Sequence, residues 1–355
     1  MRLVSPLLKH VIYPGLAKSG YFDWTHRRHQ PIVITYHGIL PPGYLSSDPA
    51  LDGHLISAIS FRAQLKLLRK KYSVIRPDEF RLWLEGRLTL PPRAVLLTCD
   101  DGLMNVLTEM LPVLDEMHLR CLFFITGAAL AASPSMLWHE QLYLLLKSAN
   151  GGLLRLPGEP PIPFPQSLSN LPGIWQQLIK RLSVYDQSSR AQILDDIRIQ
   201  LGISEGWQSE YSGSQSALQR FFMMTREQVA QLADDGMTIG AHTLSHPMLS
   251  SMSRADAGHE IAGCKTQLEG LLGIPLWPIA FPFGTEDAAG PREGELAREA
   301  GFTCSFMNIE FSEGRFAFPR IHVSAGMTLA EFEAHISGFD RALRLRYRAA
   351  AGESA

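Results

Sequence analysis

Short apolar runs that each break into polar or glycine residues recur along the chain. They are "PIVITYHG" (31–38), "AVLLTCDDG" (94–102), "CLFFITG" (121–127), "GMTIGAH" (236–242), "PIAFPFG" (278–284) and "FTCSFM" (302–307). Between them, apolar residues fall at three- and four-residue spacing over 57–72, 103–118 and 253–273, which predicts helices. "MMTREQVAQLADDG" (223–236) carries its own helix signals: Thr225 with Gln228 forms a capping box, and Gly236 ends the run. Strands that are nearly all apolar and alternate with helices predict a parallel sheet or barrel covered by helices. Residues 133–222 break the rhythm, because they separate two strands by far more than one crossover needs. This segment is expected to be an inserted cap with helices near 136–149, 174–183 and 188–201, and its proline-rich stretch 156–173 is expected to be irregular.

The polar residues gather at strand ends. His37 follows "IVITY", Asp100 and Asp101 follow "VLLTC", and His242 follows "TIGA" with His246 four residues on. Pro282, Phe283 and Gly284 follow "IAF". In a (β/α) barrel the C-terminal rim brings such ends around one axis. Two imidazoles and a carboxylate are a common ligand set for a divalent metal that keeps open positions for water and substrate. "HTLSH" would put both rings on one face if its turn were helical. Adjacent strand residues point to opposite faces, so a bend at Gly102 is needed for both Asp residues to serve one site. One would then hold the ion and the other would take a proton from the water it acidifies. The competing reading of the Asp pair is helix N-terminal capping.

"TCDDG" (98–102), "HTLSH" (242–246) and "FPFG" (281–284) resemble motifs of the polysaccharide deacetylase (NodB homology) family, with similar spacers at 111–127, 224–253 and 316–323. The resemblance covers roughly 31–132 and 223–325. It implies a distorted (β/α) barrel over 31–325, interrupted by 133–222; outside it lie a basic segment at 1–30 and a basic helix and tail at 326–355. It also implies removal of N-acetyl groups from an N-acetylhexosamine-containing polysaccharide or lipid-linked glycan, with one divalent metal, zinc. By motif position, Asp100 would be the general base, and Asp101, His242 and His246 the metal ligands. The "YH" of "TYHG" would make His37 the general acid, with His322 in "RIHV" as the other candidate. Pro282, Phe283, Gly284, Arg320 and His322 are candidate cleft residues. The chain departs from the family in three places: Cys99 replaces a Phe, no Arg precedes "FPFG", and no "L-x-H" motif follows. Arg320 either pairs with a site carboxylate or closes the barrel, and His139 and Glu140 read as the polar face of a helix in the insertion.

Composition narrows the picture. The 355 residues are 46% hydrophobic with a net charge of −2, which argues against nucleic acid as a partner. Four dispersed cysteines read as buried apolar residues in a reducing compartment. The first 20 residues lack the features of an export signal, so a cytoplasmic location is expected. Basic residues at the two ends (Arg2, Lys9, Lys18, Arg27, Arg28; Arg341, Arg344, Arg346, Arg348) are either solvated helix faces or a peripheral contact to the inner face of an anionic membrane. Two alternative functions stay open: an amide or ester hydrolase, such as a deformylase, on a small or lipid-linked sugar, and a catalytically inactive glycan-binding barrel.

Overall fold

The computed structural model describes residues 6–25, 30–46, 48–131, 134–149, 151–164, 170–309, 311–312 and 314–350. Its strands are β1 (Ile32–Tyr36), β2 (Ser73–Ile75), β3 (Ala94–Cys99), β4 (Leu122–Ile125), β5 (Gly152–Leu154) and β6 (Ile162–Phe164). They continue as β7 (Thr238–Ala241), β8 (Pro278–Ala280), β9 (Cys304–Met307), β10 (Phe318–Pro319) and β11 (Ile321–His322). The main sheet runs β10-β9-β8-β7-β4-β3-β1-β11, with β2 also on β3. All of its pairings are parallel. Only Arg320 separates β10 from β11. Phe318 lies opposite Phe306 of β9, while Ile321 lies opposite Ile34 of β1. One short segment therefore joins both ends of the sheet, and the result is a nearly closed, distorted (β/α) barrel.

Alternation along the strands separates the barrel's two faces. Ile32, Ile34 and Tyr36 of β1 and Val95 and Leu97 of β3 pack outward with helix residues Phe61, Leu65 and Leu68. Val33, Leu96, Phe124 and Phe306 form a separate inner cluster with Phe80 from the helix Pro77–Leu84. Further along the same inner positions the barrel turns polar. Thr35 and Thr98 share a 2.6 Å hydrogen bond, and Asp100 and Arg320 lie buried beyond them. The local signals for helices act as expected. Ser57 caps Ala58–Lys71, and Thr225 with Gln228 makes the capping box of Arg226–Asp234.

Between β4 and β7 the chain builds helices Trp138–Lys147, Leu171–Leu182, Gln187–Gln200, Ser209–Ser212 and Gln215–Phe221 around their own apolar cluster. The stretch 156–173 is more ordered than expected. It contains β6, paired antiparallel with β5, and the start of the helix at Leu171. Pro172 sits in the first turn of that helix, where its missing N–H costs nothing. Residues 165–169 of this stretch lie outside the described residues.

A buried ion cluster ties the inserted segment to the loop after β1. Arg220, with 0% of its surface exposed, donates to Asp52 at 2.6 Å, to Glu140 at 3.0 Å and to the Leu51 carbonyl at 2.9 Å. Removing one partner of such a cluster leaves charges buried without compensation, at a cost of about 3–5 kcal/mol. Arg220→Met is therefore expected to lower the unfolding free energy by about that amount in denaturant titration. A loss below about 1 kcal/mol would show that the cluster is dispensable.

At the ends, the helices Tyr13–Lys18 and Tyr21–Thr25 pack on the C-terminal helices Leu329–Ile336 and Phe339–Ala350. Tyr13 donates to Asp340 at 2.6 Å. Arg2, Arg27 and Arg28 and the side chains of Arg346 and Arg348 lie outside the described residues. Among the described residues no helix is long and apolar enough to cross a membrane.

Candidate active site

β3 ends at Cys99, and Asp100 continues it by donating its N–H to the Tyr36 carbonyl at 3.0 Å. The bend comes one residue earlier than expected. Asp101 itself is left-handed at φ 75°, and Gly102 follows at φ 89°. A left-handed Asp persists where its surroundings fix it, and here the side chain is held against the two imidazoles. The turn sends the two carboxylates to different partners.

Asp101 faces two imidazoles. Its Oδ1 lies 3.3 Å from His242 Nε2 and 3.2 Å from His246 Nε2. All three are buried, and the three potential ligand atoms lie within 4.8 Å of one another. His242 Nδ1 is 2.8 Å from the Ala280 carbonyl, so it carries the proton there and leaves Nε2 as an acceptor. An acceptor nitrogen facing a carboxylate oxygen is bridged by a cation, either a proton on the ring or a metal ion bound between them. Among the described residues, His246 Nδ1 is buried with no hydrogen-bond partner, so none of them fixes that ring's tautomer. This donor set fits a divalent metal with open positions. Burial pushes the Asp101 carboxyl upward, but the two imidazoles outweigh it and hold it well below the usual carboxylate range.

The helical turn expected for "HTLSH" is absent. Thr243 and His246 are left-handed at φ 65° and 58°, and a looped backbone rather than a helix face brings the rings within 5.0 Å. Phe283, itself at φ 61°, sets its ring edge-on to His246 at 4.9 Å. Gly284 takes φ 66° with Asn308 directly against it, leaving no room for a Cβ. Pro282 is buried behind them and lies outside the cavity lining.

Asp100 has a different neighbour. Arg320 Nη1 and Nη2 each donate to one of its oxygens at 2.7 Å, a bidentate pair in the barrel interior. Of the two sequence readings of Arg320, the structure shows the pairing with a site carboxylate. Arg320 comes from the segment that joins the two ends of the sheet. Burial raises the Asp100 carboxyl, but Arg320 and His242 hold it below its ordinary value.

Asp100, Asp101, His242, His246 and Phe283 line a cavity of about 150 Å³ with His37, Leu51, His54, His139, Glu140, Trp175 and Asn308, while Arg320 and Gly284, expected in the cleft, lie outside the lining. His322 is 5.0 Å from His37, centre to centre, and outside the lining. Burial pushes His322 down to about 3, helped by His37, so it is neutral at ordinary pH. His139 and Glu140 do not form an outward polar face, as read from sequence. His139 stacks on His246 at 4.8 Å, and Glu140 pairs with Arg220. His54, Trp175 and Asn308 were not singled out by sequence. Asn308 follows β9 as the other site residues follow their strands, so the strand-end pattern could have found it; His54 and Trp175 carry no such signal.

Comparisons with known proteins bear on the family and the fold. The family model for polysaccharide deacetylases matches residues 205–304. YxkH of Bacillus subtilis (strain 168), whose name assigns it provisionally to the polysaccharide deacetylases, is 25% identical over 114 residues. That match spans 32% of this chain and 41% of the length of YxkH. In fold, the Streptococcus pyogenes deacetylase PplD in complex with acetate aligns at a TM-score of 0.53 and 14% identity, over 86% of this chain and 97% of that one. IcaB from Ammonifex degensii aligns at 0.52 and 18% identity, over 86% and 96%. The resemblance read from the motifs is borne out, and so is the barrel.

Proposed function

We propose that this chain, a relative of the polysaccharide deacetylases, is a metal-dependent hydrolase that removes N-acetyl groups from an N-acetylhexosamine-containing glycan or glycolipid. The observation that carries the reading is the division of labour between neighbouring carboxylates: Asp101 faces two imidazoles, while Asp100 is held by Arg320. Asp101, His242 and His246 would hold the metal, and zinc suits two imidazoles and a carboxylate. A bound divalent ion supplies Lewis acidity and lowers the pKa of water from 15.7 to about 7.

The chain's own residues do the rest. Arg320 keeps Asp100 ionised and fixes its plane, so Asp100 takes a proton from the attacking water as general base. His37 faces the same cavity and hands a proton to the departing amine, with His322 behind it. The carbonyl carbon exchanges its C–N bond for a C–O bond, giving acetate and a free amine.

One observation favours a narrower reading. A cavity of about 150 Å³, walled in part by His139, Glu140 and Trp175 of the inserted segment, is smaller than the 300–1,000 Å³ typical of sites that enclose a ligand. It suits an acetamido group presented by a terminal sugar, free or lipid-linked, better than the middle of a long polymer. The exposed Leu7 and Val11 would suit a peripheral membrane contact, which preferential sedimentation with anionic over neutral vesicles tests.

Zinc-loaded protein incubated with N-acetylhexosamine monosaccharides, oligosaccharides and polymer is expected to release acetate, most readily from short or terminal units. Equal rates on polymer interior and chain ends would contradict the narrower reading, and absence of acetate from every substrate would contradict deacetylation.

A further inference from the structure

The loop that carries the two histidines is under backbone strain and is held from two sides. Thr243 and His246 occupy left-handed backbone, which a β-branched or ring-bearing residue keeps only where its surroundings over-determine it. Within the loop, Thr243 Oγ1 accepts from the His246 N–H at 3.1 Å. On the barrel side, the Ser245 N–H donates to Glu260 at 2.8 Å, and the Ser245 hydroxyl donates to the same carboxylate.

The other side is supplied by the segment inserted between β4 and β7. Arg190 Nη1 donates to both the Ser245 carbonyl and Ser245 Oγ at 3.2 Å. Trp138 Nε1 donates to the His246 carbonyl at 2.9 Å. Ser183 Oγ accepts from the Met248 N–H, also at 2.9 Å. Arg190 is only 1% exposed, and its Nε and Nη2 also donate, to the Leu182 and Tyr185 carbonyls. Its guanidinium lies 4.6 Å over the Trp138 ring. A buried cation whose partners among the described residues are carbonyls and a hydroxyl, with no carboxylate in contact, is costly to desolvate. Here it bridges the inserted helices to the histidine loop.

We propose that the inserted segment is the outer clamp of this loop, and that Arg190 and Trp138 are positioning residues that keep His242 and His246 aimed at Asp101. The inference rests on the reading of Asp101, His242 and His246 as a metal centre. It makes the insertion a working part of the site rather than a lid laid over it. Partners one step behind metal-ligating groups typically alter metal affinity by about 10–100-fold when removed.

The test is zinc affinity, by competition with a chelating dye, together with the thermal midpoint of the metal-free protein. Arg190→Met and Trp138→Phe are compared with wild type and with Arg198→Met. Arg198 lies on the same helix but bonds to Asp195 and the Ile203 carbonyl, away from the loop. Both clamp variants are expected to bind zinc about 10–100-fold more weakly, with Arg198→Met at wild-type affinity whatever its thermal midpoint. Zinc affinity within about twofold of wild type in folded clamp variants would overturn the clamp. Should Arg190→Met fail to fold, Trp138→Phe decides, since it removes a single N–H donor. Wild-type protein that binds no zinc, cobalt or nickel would instead overturn the metal centre, and the clamp with it.

Discussion

Asp100→Asn is expected to bind the metal as tightly as wild type and to hydrolyse its substrate on the order of 10²–10⁴-fold more slowly, the contribution of one positioned general base. The substitution keeps the size of the side chain but removes the basic oxygen that faces the cavity. It also replaces one acceptor with an amide group beside Arg320, so the bidentate pair is reduced to one bond. Asp101 and the two imidazoles lie on the other branch of the turn and are untouched. The check is kcat together with metal content on one preparation. Full turnover in Asp100→Asn would remove Asp100 from the mechanism, and lost metal would mean that the two carboxylates do not divide their roles as argued.

Arg320→Met carries the second large effect. With the guanidinium present, Asp100 is held below its usual value and is ionised throughout the neutral and mildly acidic range. Without it, burial raises the carboxyl against only the remaining pull of His242 and His37, so the protonated, inactive form extends upward in pH. The acid limb of the kcat/KM profile should therefore move to higher pH, with kcat/KM at neutral pH reduced on the order of 10²-fold. Stability follows the same sign. A group whose folded-state pKa is depressed stabilises above its unfolded value and loses that contribution as pH falls through the folded value. Arg320→Met removes this contribution and leaves a buried carboxylate unpaired, at a cost of about 3–5 kcal/mol at neutral pH. A variant with an unchanged acid limb and unchanged stability would make Arg320 a barrel-closing residue only.

Much of the site is legible in sequence because its residues follow a local rule. An apolar strand that stops at a polar residue marks the barrel rim, and that rule picks out His37, Asp100, Asp101 and His242 from separate parts of the chain. What local pattern does not carry is contact across long stretches of sequence. Arg320 meets a carboxylate 220 residues away, and sequence left it with two readings. His139 and Trp175 reach the cavity only because the inserted helices fold back over it, which helical periodicity within the insertion does not encode. The loop "HTLSH" misled for a different reason. Its i, i+4 spacing suits a helix, whereas the hydrogen bonds that hold Thr243 and His246 left-handed come from Glu260 and from the inserted segment.

The measurement closest to the centre of this account is the divalent metal content of purified wild type and His242→Ala by elemental analysis, which assumes nothing about substrate. One tightly held ion per chain in wild type, lost in His242→Ala while the fold persists, is the expected result. A wild type that holds no ion after exposure to zinc, cobalt or nickel, or a His242→Ala protein that holds its ion unchanged, would contradict the assignment of Asp101, His242 and His246 as the metal centre.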